Sequence, residues 1–324
     1  MGLENYLSRT NLLLRRSMGK FLSGIKPMEL RESMAHLLMA GGKRLRPCLL
    51  LLSCEAVGGR MEDAREAAVA VEFLHTFTLI HDDIMDGSAR RRGVPTVHTI
   101  WGRDLAITAG DALCAKAFEA LDCNASRVGL SDERFSNLLH TFARATFDVC
   151  MGQALDLVLG KKPMRKKDYF ELVRLKTGSL FRASAKAGAI LGGGKMEEVE
   201  ALGEYALWLG VAFQIRDDVL DLVGGKEFGK EKWRDLKEGK MTLPILLAIE
   251  LGARELTSML RGGIRGNQIE EAVRMVESTG AIEAARRIAL QFSRRAVSYL
   301  GRIRDSEAKQ ALKEMATFVV ERRE

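Results

Sequence analysis

Two clusters of three aspartates share one spacing: Asp82, Asp83 and Asp86 in HDDIMD, and Asp217, Asp218 and Asp221 in QIRDDVLD. Three carboxylates so close together, beside apolar Ile84 and Met85, repel one another unless a cation neutralises them. Carboxylate oxygens are hard ligands that suit magnesium, which takes one or two of them, keeps several waters and is completed by substrate phosphates. On a helix, positions i and i+4 share a face, so Asp82 pairs with Asp86 and Asp217 with Asp221. The rival reading is a solvated acidic helix end. Two like clusters, each following an apolar segment, favour a metal and a cleft that the two clusters face from opposite sides.

Basic residues surround both clusters. Gly41-Gly42-Lys43-Arg44-Leu45-Arg46-Pro47 sets three cations beside a glycine turn, where backbone and guanidinium groups can approach phosphate oxygens. A solvated turn is the alternative there. Arg90, Arg91 and Arg92 follow Asp86 closely, and Lys176-Thr177 and Lys230 to Lys240 add donors around the second cluster. Gln214 lies one turn before Asp217, and His75 two turns before Asp82 on the same face. A lone histidine of this kind is either a satisfied core residue or a ligand. Its neighbours favour the ligand.

The elements that must position these residues read as helices. Hydrophobic residues make up 47% of the 324 residues, and only five are proline. Apolar periodicity and stop signals predict helices over 61–86, 104–123, 132–159, 168–191, 196–223, 242–252, 267–278, 280–301 and 305–322. Gly224 and Gly225 close the 196–223 helix. No alternating strand pattern, internal repeat or interdomain linker stands out, so one all-α domain over 1–324 is the expectation. Ala68, His75 and Asp82 recur at seven, as do Gly203, Gly210 and Asp217, so small residues lie below each first aspartate. Close packing and room for a ligand both account for that.

Composition excludes other classes. The net charge of +7 suits nucleic acid, an anionic membrane or a phosphorylated substrate. The cations are dispersed and aromatics are only 6%, which disfavours a base-stacking nucleic-acid surface. The start lacks a signal-peptide pattern, and no apolar run approaches the ~20 residues of a spanning helix. A cytoplasmic protein is expected. The five cysteines show no zinc spacing and read as buried thiols in a reducing compartment. The basic KKPMRKK loop (161–167) reads as a solvated connection, as do the arginine-rich faces of 280–324, where the alternative is a tail closing over a diphosphate.

In order along the chain, GGKRLRP, HDDIMD, RRGVPTVH, LKTGSL, FQIRDDVLD and DLKEGKMTLP resemble the trans-prenyltransferase, or polyprenyl synthetase, family across about Gly41 to Pro244. The resemblance implies an isoprenoid-synthase helical bundle around a deep central cavity, two or three magnesium ions and a homodimer. It implies head-to-tail joining of isopentenyl diphosphate to dimethylallyl, geranyl or farnesyl diphosphate. Lys43, Arg46, His75 and Arg92 match contacts to isopentenyl diphosphate. Arg91, Lys176, Thr177, Gln214 and Lys240 match contacts to the allylic diphosphate, with Lys230 or Lys232 as a further one. Asp82, Asp83, Asp86, Asp217, Asp218 and Asp221 match the metal clusters, and Asp82, Asp86, Asp217, Lys176 and Arg91 would carry the catalysis. Trp233 departs from the family pattern, which has a small residue or glycine there.

In that family a bulky residue four or five places before the first aspartate stops chain growth. Phe77 holds the fifth place and Thr78 the fourth, near Leu74, and at 1.5 Å per residue Phe77 sits about 7.5 Å beneath Asp82. One aromatic with one small neighbour resembles archaeal-type geranylgeranyl synthases and implies a twenty-carbon product, with a fifteen-carbon or mixed product as the alternative. A terpene cyclase pairs one aspartate cluster with an Asn/Ser/Glu motif, and a non-catalytic partner subunit loses aspartates. The six aspartates and GGKRLRP argue against both.

Overall fold

The computed structural model describes residues 2–160, 164–223, 233–264 and 266–322. Helices α1 (Leu3–Leu22), α2 (Met28–Met39) and α3 (Leu45–Val57) lead to a 3₁₀ turn at Met61–Ala64 and to α4 (Arg65–Met85). A two-stranded hairpin, β1 (Arg90–Arg91) and β2 (Val94–Pro95), precedes α5 (Val97–Trp101), α6 (Arg103–Val128) and α7 (Asp132–Leu159). Next come α8 (Lys166–Val173), a π turn at Arg174–Gly178, α9 (Ser179–Leu191) and α10 (Met196–Val223). The chain ends with α11 (Arg234–Lys237), α12 (Leu243–Glu250), α13 (Leu256–Gly262), α14 (Asn267–Ser278), α15 (Ala281–Tyr299) and α16 (Glu307–Glu321).

Two compact units divide these elements. The first comprises Met1–Thr146, Leu180–Gly203 and Leu300–Glu314. Its centre is α4, whose first half is buried nearly all round: Ala67, Ala68, Val69, Ala70, Val71 and Phe73 are at 0% exposure. Alanines let α6 approach closely through Ala106, Ala109, Gly110, Leu113 and Ala117. A Cβ on Gly110 would stand 2.4 Å from His81 Nε2, so glycine is what admits that ring. Helix α9 crosses α3 in the same way, because a Cβ on Gly188 or Gly192 would collide with the carbonyl oxygens of Leu50 or Cys54.

The second unit comprises Phe147–Ser179, Glu204–Tyr299 and Met315–Glu324. Its core gathers Val211, Ile215 and Val219 of α10, Tyr169 and Val173 of α8, and the apolar α12, which packs on α15, α14, α13 and α8. Pro244 in the first turn of α12 supplies a preset φ where no helical hydrogen bond is lost.

The structure corrects several expectations. Segment 61–86 starts as a 3₁₀ turn, and 168–191 is interrupted by the π turn. A short hairpin appears where no strand was expected, because two residues per strand are too few to show alternation. Cys48 and Cys54 are buried, whereas Cys114 is half-buried and Cys123 and Cys150 are exposed. Lys161–Pro163, Gly224, Gly225, Lys230 and Lys232 lie outside the described residues. Among the described residues, no helix is long and apolar enough to cross a membrane.

Candidate active site

In the first unit the site is built at the C-terminal end of α4. The helix stops because Gly87 takes a left-handed φ of +64° and the Ser88 amide returns to the Asp83 carbonyl, 2.9 Å. The chain then reverses through Arg92 and Gly93, both at positive φ, in the tight turn of the β1–β2 hairpin. That reversal folds Arg91 back onto α4, where its Nε donates to Asp83 Oδ1 at 2.7 Å. Asp83, turned about 100° from Asp82, is 1% exposed, whereas Asp82 and Asp86 are half-buried.

The arginine next to it follows a different course. Arg92 Nη1 donates to the carbonyls of Gly41, 2.5 Å, and Leu37, 3.1 Å, and its Nη2 lies 3.9 Å from Glu72. A Cβ on Gly42 would meet the Arg92 guanidinium at 3.0 Å, so the Gly41-Gly42 pair makes room for it. Arg44, left-handed at φ 50°, is buried against Glu72 and the Leu38 carbonyl. Glu72 thus anchors two arginines. Sequence reasoning missed it, although a carboxylate within AAVAVEFLH was the available signal.

Arg46 Nη1 stands 3.3 Å from His75 Nε2 and its guanidinium lies 4.5 Å over the Phe181 ring. Burial, then the positive charges of Arg46, Arg92 and Arg91, push His75 well below the usual imidazole range, so the ring is neutral near pH 7. Lys43 is exposed at the same turn. Phe77 packs edge-on against His81, ring centroids 4.8 Å apart, Leu74 is buried, and Thr78 Oγ1 donates to the His75 carbonyl.

In the second unit a hydrogen-bonded chain runs from Thr177 Oγ1 to Gln214 Oε1, 2.9 Å, and from Gln214 Nε2 to Asp218 Oδ1, 3.0 Å. Tyr169 donates to Asp218 Oδ2 at 2.5 Å. Burial pushes Asp218 up to about 6 against these donors. Asp221 takes the backbone amides of Arg234, 3.2 Å, and Asp235, 3.1 Å, so it caps α11 and ties DLKEGK to the second cluster. Trp233, left-handed at φ 58°, places its indole N–H on the Leu222 carbonyl, 3.1 Å. That accounts for a tryptophan where the family resemblance expects a small residue. Asp235 is raised by burial and by Asp221 and Asp218.

Lys176 lies in the π turn, its Nζ 2.8 Å from Asp156 on α7. A Cβ on Gly152 would stand 2.5 Å from the Lys176 amide, so that glycine seats the π turn. Lys240 pairs with Glu238 at 2.6 Å. Asp217 pairs with Arg322 at 2.7 Å. Asp156 and Tyr169, which hold Lys176 and Asp218, are candidate site residues that sequence reasoning missed. The GxxxD spacing of Gly152 and Asp156 was a faint signal, and Tyr169 gave none.

Both clusters therefore follow one plan. The middle aspartate, Asp83 or Asp218, is buried and hydrogen-bonded within the protein. The outer pairs, Asp82 with Asp86 and Asp217 with Asp221, are half-buried on one face of a helix near its C-terminal end, where the helix dipole adds negative potential. Among the described residues no three acidic, histidine or cysteine side chains form a cage of their own. Two half-buried carboxylates on one helix face fit magnesium, whose remaining positions go to water and phosphate. A pocket of about 620 Å³ in the first unit, lined by Arg60, Arg127 and Arg134, belongs to the opposite end of α4. Its arginines are held by Asp63, Glu66 and the carbonyls at the end of α9.

Over residues 27–279 the chain matches the polyprenyl synthetase family. It is 42% identical over 306 residues to short chain isoprenyl diphosphate synthase of Methanothermobacter thermautotrophicus, covering 93% of each chain. It is 37% identical over 305 residues to geranylfarnesyl diphosphate synthase of Aeropyrum pernix, covering 92% of this chain and 96% of that one. The solved structure of geranylgeranyl pyrophosphate synthetase from Pyrococcus horikoshii is similar with a TM-score of 0.91 at 37% identity, covering 98% of this chain and 99% of that one. Polyprenyl synthase of Caulobacter crescentus, complexed with calcium and isoprenyl diphosphate, gives 0.88 at 34% identity, with 99% and 96% covered. The chain belongs to the polyprenyl synthetase family and is a trans-prenyltransferase.

Proposed function

We propose that the chain condenses isopentenyl diphosphate with allylic diphosphates to make the twenty-carbon geranylgeranyl diphosphate, with magnesium as the metal. The observation that carries this reading is the β1–β2 hairpin, which folds Arg91 back onto Asp83 at the end of α4, where Asp82 and Asp86 are half-buried. Carboxylates and guanidinium groups so placed suit a metal-bound diphosphate. The Caulobacter relative, solved with calcium and isoprenyl diphosphate, supports the same ligand class. Bound to the outer aspartates, magnesium ions (two or three) would neutralise charge that develops on the departing diphosphate.

The protein's own groups do the rest. Lys176, Thr177, Gln214, Lys240 and Arg91 hold the allylic diphosphate, so that the leaving group meets fixed positive charge and donors. Arg46, neutral His75, Lys43 and Arg92 hold isopentenyl diphosphate with its double bond towards the allylic carbon. Loss of diphosphate leaves an allylic cation, the double bond attacks it, and a proton passes to the departed diphosphate. Apolar side chains beneath Asp82 exclude the water that would quench the cation. Phe77, with Thr78 and Leu74 beside it, sets the floor. A soluble, cytoplasmic homodimer completes the reading.

The geranylfarnesyl relative favours a second reading, a twenty-five-carbon product. The test is product length after dephosphorylation, from magnesium, labelled isopentenyl diphosphate and dimethylallyl, geranyl or farnesyl diphosphate. The expected alcohol has twenty carbons, and Phe77→Ala shifts the products to longer chains. A wild-type product of twenty-five carbons, or unchanged products from Phe77→Ala, contradicts the assignment of the floor.

A further inference from the structure

We propose that Arg322, at the end of the last helix, is a positioning residue that acts as an internal counter-ion of Asp217 and is displaced when a divalent cation binds there. The inference rests on the reading of Asp217 as a cation ligand. Arg322 Nη2 donates to Asp217 Oδ1 at 2.7 Å and to the Phe213 carbonyl at 3.0 Å. Its guanidinium lies 3.8 Å over the Phe213 ring. The clasp is reciprocal, because Arg216 Nε and Nη2 donate to the Arg322 carbonyl at 3.0 and 2.7 Å. The Arg322 amide in turn closes α16 on the Phe318 carbonyl, 3.0 Å. The Arg322 side chain is 5% exposed and that of Asp217 32%.

Asp83 and Asp218 are inner residues with protein partners, whereas Asp217 is an outer one, on the face shared with Asp221. A guanidinium on Oδ1 occupies a ligand oxygen and repels a second cation in a partly buried site where screening is weak. Arginine and metal therefore compete for one carboxylate, and the competition is a coupling free energy. Buried Arg322 Nε has no hydrogen-bond partner among the described residues, so the guanidinium is held without full satisfaction and its release costs less. In the metal-free protein the pair keeps Asp217 neutralised and α16 docked. Cation binding frees the end of α16 and makes its last amides exchange faster.

The experiment titrates Mn²⁺ by electron paramagnetic resonance into the full chain, its Arg322→Gln and Arg216→Gln variants, and each of these with Asp217→Asn. Circular dichroism and thermal melting establish that each variant is folded. The Asp217-dependent affinity is expected to tighten by about fivefold or more in Arg322→Gln and by less in Arg216→Gln. In the wild type, hydrogen exchange at Phe318–Arg322 is expected to speed up with saturating Mn²⁺. Equal or weaker Asp217-dependent binding in a folded Arg322→Gln variant, with binding intact in the wild type, overturns the latch alone. So does unchanged exchange at saturation. No Asp217-dependent binding in any variant overturns the latch and the cation reading together.

Discussion

His75 carries the clearest electrostatic signature of the proposed diphosphate site. Burial and four arginines keep its ring neutral, which under the proposed function leaves a donor for a phosphate oxygen without adding a charge that the surrounding guanidinium groups would oppose. Its folded pKa lies well below the unfolded value near 6.5. Below that pH the unfolded chain takes up a proton that the folded chain refuses, so this contribution to stability is complete above about pH 6.5 and declines as pH falls. The urea midpoint of the metal-free protein is therefore expected to drop between about pH 7 and pH 5.5. His75→Gln is expected to drop less over that range, and equal slopes for the two proteins would contradict the assignment. The paired aspartates and the basic runs that hold Lys43, Arg46, Arg91 and Arg92 are plain in the sequence, whereas the diphosphate roles proposed for them came only with the family resemblance. The inward turn of Asp83 and Asp218 was not legible, because facing is set by the partners Arg91 and Tyr169 as well as by spacing.

At the scale of elements, the long helices were the most legible part. The expected bounds 132–159, 196–223 and 267–278 agree with α7, α10 and α14, because each combines sustained apolar periodicity with a stop or start signal. The π turn at Arg174–Gly178 was hidden, since a single turn between two short helices is too brief for the phase shift of one extra residue to stand out in the apolar pattern. It is held by a tertiary contact, the approach of Gly152 to the Lys176 backbone. Gly152→Ala is thus expected to cost about 1–3 kcal/mol of stability, because the new methyl meets backbone that must shift. Its KM for the allylic substrate is expected to rise as Lys176 moves from its place beside Asp156. Thermal melting and steady-state kinetics check both, and an unperturbed KM with an unchanged melting temperature would contradict the seating role. The β1–β2 hairpin was equally hidden, and only its Arg-Gly turn marks it in the sequence.

For the whole molecule, the order of six short motifs carried more than any single one. HDDIMD alone fits a solvated helix end. With GGKRLRP, LKTGSL and QIRDDVLD in sequence it fits a diphosphate-handling enzyme, and the relatives place the chain in the polyprenyl synthetase family. The supporting residues Glu72, Asp156 and Tyr169 escaped because their partners lie far away in sequence. The central claim is that both outer aspartate pairs serve one magnesium-dependent prenyl transfer. The most direct measurement is magnesium-dependent incorporation of labelled isopentenyl diphosphate by the wild type and by Asp82→Asn and Asp217→Asn. The account predicts incorporation that chelation abolishes and that each substitution lowers by about 10²- to 10³-fold, the loss of one strong electrostatic contact in the transition state. Incorporation that survives chelation, or that either folded variant carries out at the wild-type rate, would contradict it.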